Sequence, residues 1–113
     1  MTSELSADAP MSSEPAPTNV EVHHEPALAR YTLWLDGDMV GLLDYVVSSH
    51  EIRFTHTEVN PAKRHSGLAA ILVEQALDDV RTRTTLPVVA ECPYVASWID
   101  KHAEYQDLLA RGR

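Results

Sequence analysis

The chain has 113 residues, enough for one domain, and 44% of them are hydrophobic. Its formal net charge of −8 argues against nucleic acid as the main partner, because that affinity rests on Lys and Arg neutralising phosphates. Its one cysteine, Cys92, excludes an internal disulfide framework and a Cys-rich metal site, and fits a reducing cytoplasm.

Residues 1–19, "MTSELSADAPMSSEPAPTN", hold Pro10, Pro15 and Pro17 among Ser, Ala, Glu and Asp. They carry too little apolar surface to offset their ordering entropy and are expected to be a disordered tail. The stretch has no basic start and no continuous apolar run, so a secretory signal is not expected. No window approaches the roughly 18 apolar residues that cross a bilayer, so no membrane partner is expected either. The folded domain is therefore expected over residues 20–113.

"VEVHH" (20–24) reads as a short edge strand. In "RYTLWLDGD", Tyr31, Leu33 and Leu35 alternate with Thr32, Trp34 and Asp36, the period of a strand. Asp36-Gly37 is a hairpin signal, because both types tolerate the positive φ of a tight turn. "MVGLLDYVVSS" then forms the third strand and "EIRFTHTEV" (51–59) the fourth. Simple alternation puts Ile52, Phe54, His56 and Glu58 on one face of it, and Arg53, Thr55, Thr57 and Val59 on the other.

Pro61 stops the sheet pattern, and from about Ser66 the period changes. Leu68, Leu72, Ala76 and Val80 recur every fourth residue, with Ala69, Val73 and Leu77 in the neighbouring row. This is an amphipathic helix that frays near "TRTT" (82–85). "LPVVAEC" (86–92) reads as a buried fifth strand. Pro93 suits the first turn of a helix, in which Val95, Trp98 and Ile99 form a buried stripe. "EYQDLLA" (104–110) reads as a last half-turn or short helix. The order is an α/β (α+β) fold: a β-meander, a β–loop–α–β unit with a right-handed crossover, then a helix. The sheet is mixed and mostly antiparallel.

Chemistry concentrates at the start of the long helix, in "NPAKRHSGLA" (60–69). The first N–H groups of a helix lack intrahelical partners and carry the positive end of its dipole. Gly67 has no Cβ to block an anion, and Lys63, Arg64 and His65 add charge from the side. The competing reading is a solvated loop with a chance basic pair.

"THTEVNPAKRHSGLAAILVEQALDDV" followed by "ECPYVASWIDKHAEY" resembles the GNAT superfamily of acetyl-CoA-dependent N-acetyltransferases, over about residues 28–109. It looks most like a small, minimal, YjdJ-like bacterial branch. The family's pyrophosphate loop, Arg/Gln-x-x-Gly-x-Gly/Ala, reads here Arg64-His65-Ser66-Gly67-Leu68-Ala69. The branch's His-Thr-Glu-Val strand is matched by His56-Thr57-Glu58-Val59. Its Cys-Pro-aromatic-Val and His-x-Glu-Tyr are matched by Cys92-Pro93-Tyr94-Val95 and His102-Ala103-Glu104-Tyr105. The chain departs from the branch in lacking one loop glycine, since His65-Ser66-Gly67 stands where Gly-Arg/Lys-Gly is usual, and in having Ala103 where Pro is usual. It also lacks the helices that build the acceptor pocket of longer members.

The resemblance implies that the fourth and fifth strands splay into a V. The pantetheine arm of acetyl-CoA then pairs with the fourth strand from Thr57 to Val59, and the pyrophosphate sits on the loop from Lys63 through Ser66 and Gly67 to Leu68 and Ala69. An amine attacks the thioester and needs a base. His56 is the first candidate and Glu58 the second, against a core histidine and a solvated carboxylate respectively. GNAT fourth strands often carry a bulge, which reverses the facing of the residues beyond it. Cys92 precedes a helix N-terminus, which lowers a thiol pKa, so it is either a covalent acetyl carrier or a small buried hydrophobe. Tyr94 and Tyr105 are candidates to protonate the leaving thiolate, or packing residues. Trp34 and Trp98 are assigned to core or interface. His23 and His24 are too few ligands for a metal.

The expected function is an acetyl-CoA-dependent N-acetyltransferase with no metal and an unidentified amine acceptor. The shallow acceptor side suits a protein lysine or N-terminus on a monomer or homodimer. The alternatives are a non-catalytic acyl-CoA-binding module, which shares every loop residue, and an interaction domain without a ligand.

Overall fold

A computed structural model describes residues 19–61 and 67–111. Strands β1 (Val20–Glu25), β2 (Arg30–Leu35), β3 (Asp38–Val47) and β4 (Ile52–Val59) precede helix α1 (Leu68–Arg83). Strand β5 (Val88–Ala90), helix α2 (Pro93–Asp100), a C-terminal 3₁₀ helix (Ala103–Ala110) and a one-turn 3₁₀ helix between β1 and β2 (Pro26–Leu28) complete the described fold. The expected tail lies outside the described residues except for Asn19, which is tied to the β2–β3 turn. The Asp36 N–H donates to the Asn19 carbonyl at 2.9 Å, and the Asn19 N–H to Asp36 Oδ1 at 3.0 Å.

The sheet order is β1-β2-β3-β4-β5, antiparallel except for the parallel β4–β5 pair. The β2–β3 turn holds Asp36 at φ 50° and Gly37 at φ 87°, the left-handed pair that the Asp-Gly signal predicts. Helix α1 buries Leu68, Leu72, Val73, Ala76, Leu77 and Val80. They pack with Tyr31, Leu33, Leu43, Tyr45, Ile52 and Phe54 in one core. Each such aliphatic side chain contributes about 1.5–3 kcal/mol by leaving water. Helix α2 adds Val95, Trp98 and Ile99.

The C-terminal 3₁₀ helix is fastened to α1. Tyr105 Oη donates to Asp78 Oδ1 at 2.7 Å, and the Arg81 guanidinium makes a two-point contact with Asp107 at 2.8 and 2.9 Å. Helices α1 and α2 and this 3₁₀ helix therefore share one face of the sheet. His23, Val46, His56 and Glu58 are exposed on the other, the open face.

Two departures from alternation matter. Asp44 pairs with His56 and Tyr45 with Phe54, so Thr55 is an extra residue in β4, a β-bulge. After it the facing reverses: Ile52 and Phe54 are buried before the bulge, and Val59 after it. The expectation that His56 and Glu58 share a face with Ile52 and Phe54 is therefore corrected. Thr32, expected on the polar side, is fully buried, held between the Trp34 indole N–H (2.9 Å) and a Glu25 carboxylate oxygen (3.2 Å). Strand β5 is shorter than the apolar run 86–92, because the chain turns into α2 at Cys92.

Candidate functional site

Strand β5 pairs with β4 only at Ile52, Arg53 and Phe54. The N–H groups of Glu91 and Cys92 both donate to the Phe54 carbonyl, at 3.0 and 2.8 Å, and close the ladder there. Beyond that point β4 runs on to Val59 with no strand on its β5 side, while the chain after β5 turns away into α2. Two parallel strands thus part at one level. On the open face an Arg53–Glu91 ion pair clasps them just below the parting.

The opening leads into a cleft of about 290 Å³ lined by Thr57 and Val59 of β4, Gly67 and Ala69 at the start of α1, and Tyr94 of α2. Helix α1 begins at Leu68, with Gly67 as its N-cap at φ 71° and no side-chain cap bond. An L side chain is strained in that left-handed conformation, which accounts for the glycine. Among the described residues a Cβ there would meet nothing within 4 Å, and Gly67 leads into the first amides of a 16-residue helix. Leu68 itself is 3% exposed, so only its backbone faces this end of the helix. The rest of the expected loop, Lys63, Arg64, His65 and Ser66, lies outside the described residues.

The expected catalytic residues fall into two groups on opposite faces of β4. His56 and Glu58 stand on the open face, with side chains 59% and 68% exposed and His56 Nε2 3.8 Å from Glu58 Oε1. His56 is not a core histidine on the Ile52–Phe54 face, because the bulge turns it outward. Cys92 is on the helical face, buried, with its Sγ 3.1 Å from Thr57 Oγ1. Burial pushes the Cys92 thiol up, but the Thr57 hydroxyl and the nearby backbone N–H groups of Val95 and Tyr94 outweigh it, and the thiol lies below its ordinary value. The Thr57 backbone N–H adds a smaller contribution in the same direction. Burial raises the Tyr94 phenol above its ordinary value. Tyr105 lies away from the cleft, bonded to Asp78.

Sequence reasoning gave Thr57 a backbone role only and did not find its side-chain contact with Cys92. The signal for that contact is the bulge, which depends on pairing with β3. His23 and His24 do not converge: His23 pairs with Glu21 at 2.8 Å on the open face, and His24 packs under α1 against Asp79. No helix among the described residues is long and apolar enough to cross a membrane.

The mixed sheet, the parting of β4 from β5 and the helix that begins beside it form the α/β arrangement that the sequence resemblance implies. The model of the GCN5-related N-acetyltransferase family matches residues 30–108, and the chain belongs to that family. Among solved structures it is similar to the ribosomal-protein-S18-alanine N-acetyltransferase from Escherichia coli, with a TM-score of 0.55 and 17% identity over 64% of this chain. That likeness confirms the fold, and this chain spans about half (49%) of that enzyme's length. Among curated proteins none matches.

Proposed function

We propose that this protein binds acetyl-CoA in the cleft between β4 and β5 and transfers its acetyl group to an amine presented on the open face of the sheet. The supporting observation is that, among the described residues, a strand edge without a partner strand and a helix N-terminus without a side-chain cap border the same cleft. Backbone groups of Thr57 to Val59 suit an amide-bearing chain laid along the strand. The first amides of α1 suit a phosphate group, with Lys63, Arg64 and His65 adding charge as the loop motif implies. Bound acetyl-CoA supplies an activated thioester carbonyl.

On this reading His56 accepts a proton from the attacking amine, which requires that the amine come from the open face, where the His56 ring stands. Glu58 holds the imidazolium or takes the proton through a water. A β4 backbone N–H beside the cleft stabilises the developing oxyanion. The open face has no covering helix among the described residues, so a lysine or N-terminal amine carried on a protein can reach it. A second route is favoured by the environment of Cys92. Its thiolate attacks the thioester carbonyl, a new S–C bond forms as the bond to the CoA sulfur breaks, and CoA leaves as the thiolate. The amine then takes the acetyl group from Cys92, and the amine's proton passes to the departing Cys92 sulfur, which is released as the thiol. A reducing compartment such as the cytoplasm keeps Cys92 in the free form this route needs.

Titration with CoA tests the reading first. Binding raises the melting temperature of the protein, and Arg64→Glu weakens it by about 1–3 kcal/mol through the loss of charge-assisted hydrogen bonds. Turnover of acetyl-CoA with peptides bearing a free lysine or N-terminus separates a transferase from a binding module. A wild-type protein that binds neither CoA nor acetyl-CoA sinks both.

A further inference from the structure

Thr57 lines the cleft, whereas Cys92 stands behind it at 6% exposure, with 3.1 Å between Oγ1 and Sγ. Anything entering the cleft meets the Thr57 side chain before the sulfur. We propose that Thr57 is the positioning residue of Cys92: its hydroxyl donates to the sulfur, fixes it against the inner wall of the cleft and favours the reactive thiolate. This rests on the reading of Cys92 as part of the transfer site, but its test needs no turnover.

Two features of the fold build the contact. The extra residue Thr55 turns Thr57 to the helical face; in a regular strand its hydroxyl would point to the open face, away from Cys92. The paired N–H bonds of Glu91 and Cys92 to the Phe54 carbonyl then hold the Cys92 backbone beside β4, within side-chain reach of Thr57. The chemistry gives the contact a direction. A thiol is a weak donor and a weak acceptor, so the bond adds little to the neutral form, whereas a thiolate accepts strongly from a hydroxyl.

Few charged groups compete for that role among the described residues. Tyr94 of α2 lines the same cleft. Glu91, next to Cys92, is committed to Arg53. His56 and Glu58 stand on the other face of the sheet, and α1 presents Gly67 and Ala69 to the cleft.

The test is the pH profile of iodoacetamide alkylation at this single cysteine, followed by intact mass. Thr57→Val keeps the shape and removes the hydroxyl, and Thr57→Ser keeps the hydroxyl. In Thr57→Val the midpoint is expected to move up by about one pH unit, with a roughly tenfold slower rate at pH 7. Thr57→Ser is expected to keep the wild-type midpoint. Where Thr57→Val does not fold, Thr57→Ala is read in the same way. An unchanged midpoint in a folded variant lacking the hydroxyl overturns the proposal. So does a uniformly faster rate without a midpoint shift, which would make Thr57 a mere cover, or a Thr57→Ser profile displaced as far as that of Thr57→Val. A midpoint shift in a protein that binds neither CoA nor acetyl-CoA upholds the positioning role and refutes the transfer reading.

Discussion

Gly41 on β3 lies so close to Glu58 on β4 that a Cβ at Gly41 would stand 2.9 Å from the Glu58 carbonyl oxygen and 3.1 Å from Val59 Cγ2. Gly41 and Val59 are register partners, and Val59 borders the cleft. The glycine thus sets how near the cleft's strand edge lies to the middle of the sheet. Backbone is on the receiving side of the clash, so no rotamer change relieves it. Gly41→Ala is expected to cost about 1–3 kcal/mol in chemical denaturation, the usual range for overpacking. It should also displace Glu58 and Val59 and weaken CoA binding. A folded variant with wild-type CoA affinity in calorimetry would show that the cleft does not depend on this approach.

Outward-facing His56 gives a separate expectation for catalysis. His56→Ala should lower kcat by about 10²–10⁴-fold and leave CoA affinity unchanged, because the ring is on the face away from the cleft. Glu58→Gln should have a smaller effect, since it acts through His56 or a water. Steady-state kinetics beside CoA titrations separate the two quantities. Full activity in His56→Ala moves the base to Glu58 or to solvent.

How far the sequence revealed this molecule depends on the range of each interaction. The elements were legible because their causes are local: the four-residue spacing of Leu68, Leu72, Ala76 and Val80, the Asp36-Gly37 turn, and Pro93 at the start of α2. The family motifs also placed Thr57, Val59, Gly67 and Ala69 at one site, and the cleft brings them together. The facing of β4 was not legible from its own residues; only the family resemblance, with its frequent bulge in this strand, allowed for a reversal. Nothing within "EIRFTHTEV" marks Thr55 as extra; the bulge exists only through the pairing of Asp44 with His56 and of Tyr45 with Phe54. One residue of register separates His56 from Cys92 and brings Thr57 to the sulfur instead. The burial of Thr32 was hidden for the same reason, because Glu25 and Trp34 reach it from along and across strands.

Acid should loosen the far end of the sheet. His24 stacks on Tyr31 with 4.4 Å between ring centroids, bonds Tyr45 Oη at 2.5 Å and stands 3.5 Å from Asp79. Burial lowers its pKa from the ordinary 6.5, opposed by the Asp79 carboxylate and aided by Arg83. The folded protein therefore binds this proton less readily than the unfolded chain. The corresponding stability is fully present above about pH 6.5 and is lost as pH falls from there through the folded value. Melting temperatures measured from pH 7.5 down to pH 5 should fall more steeply for the wild type than for His24→Gln. Parallel curves would mean that His24 does not carry the effect.

Alkali should act at the opposite side of α1, through Tyr105. Its hydroxyl donates to Asp78, and that bond to a carboxylate, with some burial, pushes the phenol up to about 12 from the ordinary 10. Here the folded state holds its proton more tightly than the unfolded chain. The stability is fully present below about pH 10 and is lost as pH rises through about 12. Tyr105→Phe keeps the ring that packs edge-on against Trp98 at 4.9 Å, and removes only the hydroxyl. It should cost about 1–2 kcal/mol at neutral pH, because the Asp78 carboxylate loses a donor. Above pH 10 the variant should lose stability less steeply than the wild type, and the tyrosinate absorbance that develops near pH 12 should shrink by one phenol. Equal slopes in the two proteins would show that the 3₁₀ helix is held by Arg81 and Asp107 rather than by this bond, since that ion pair does not titrate between pH 10 and 12.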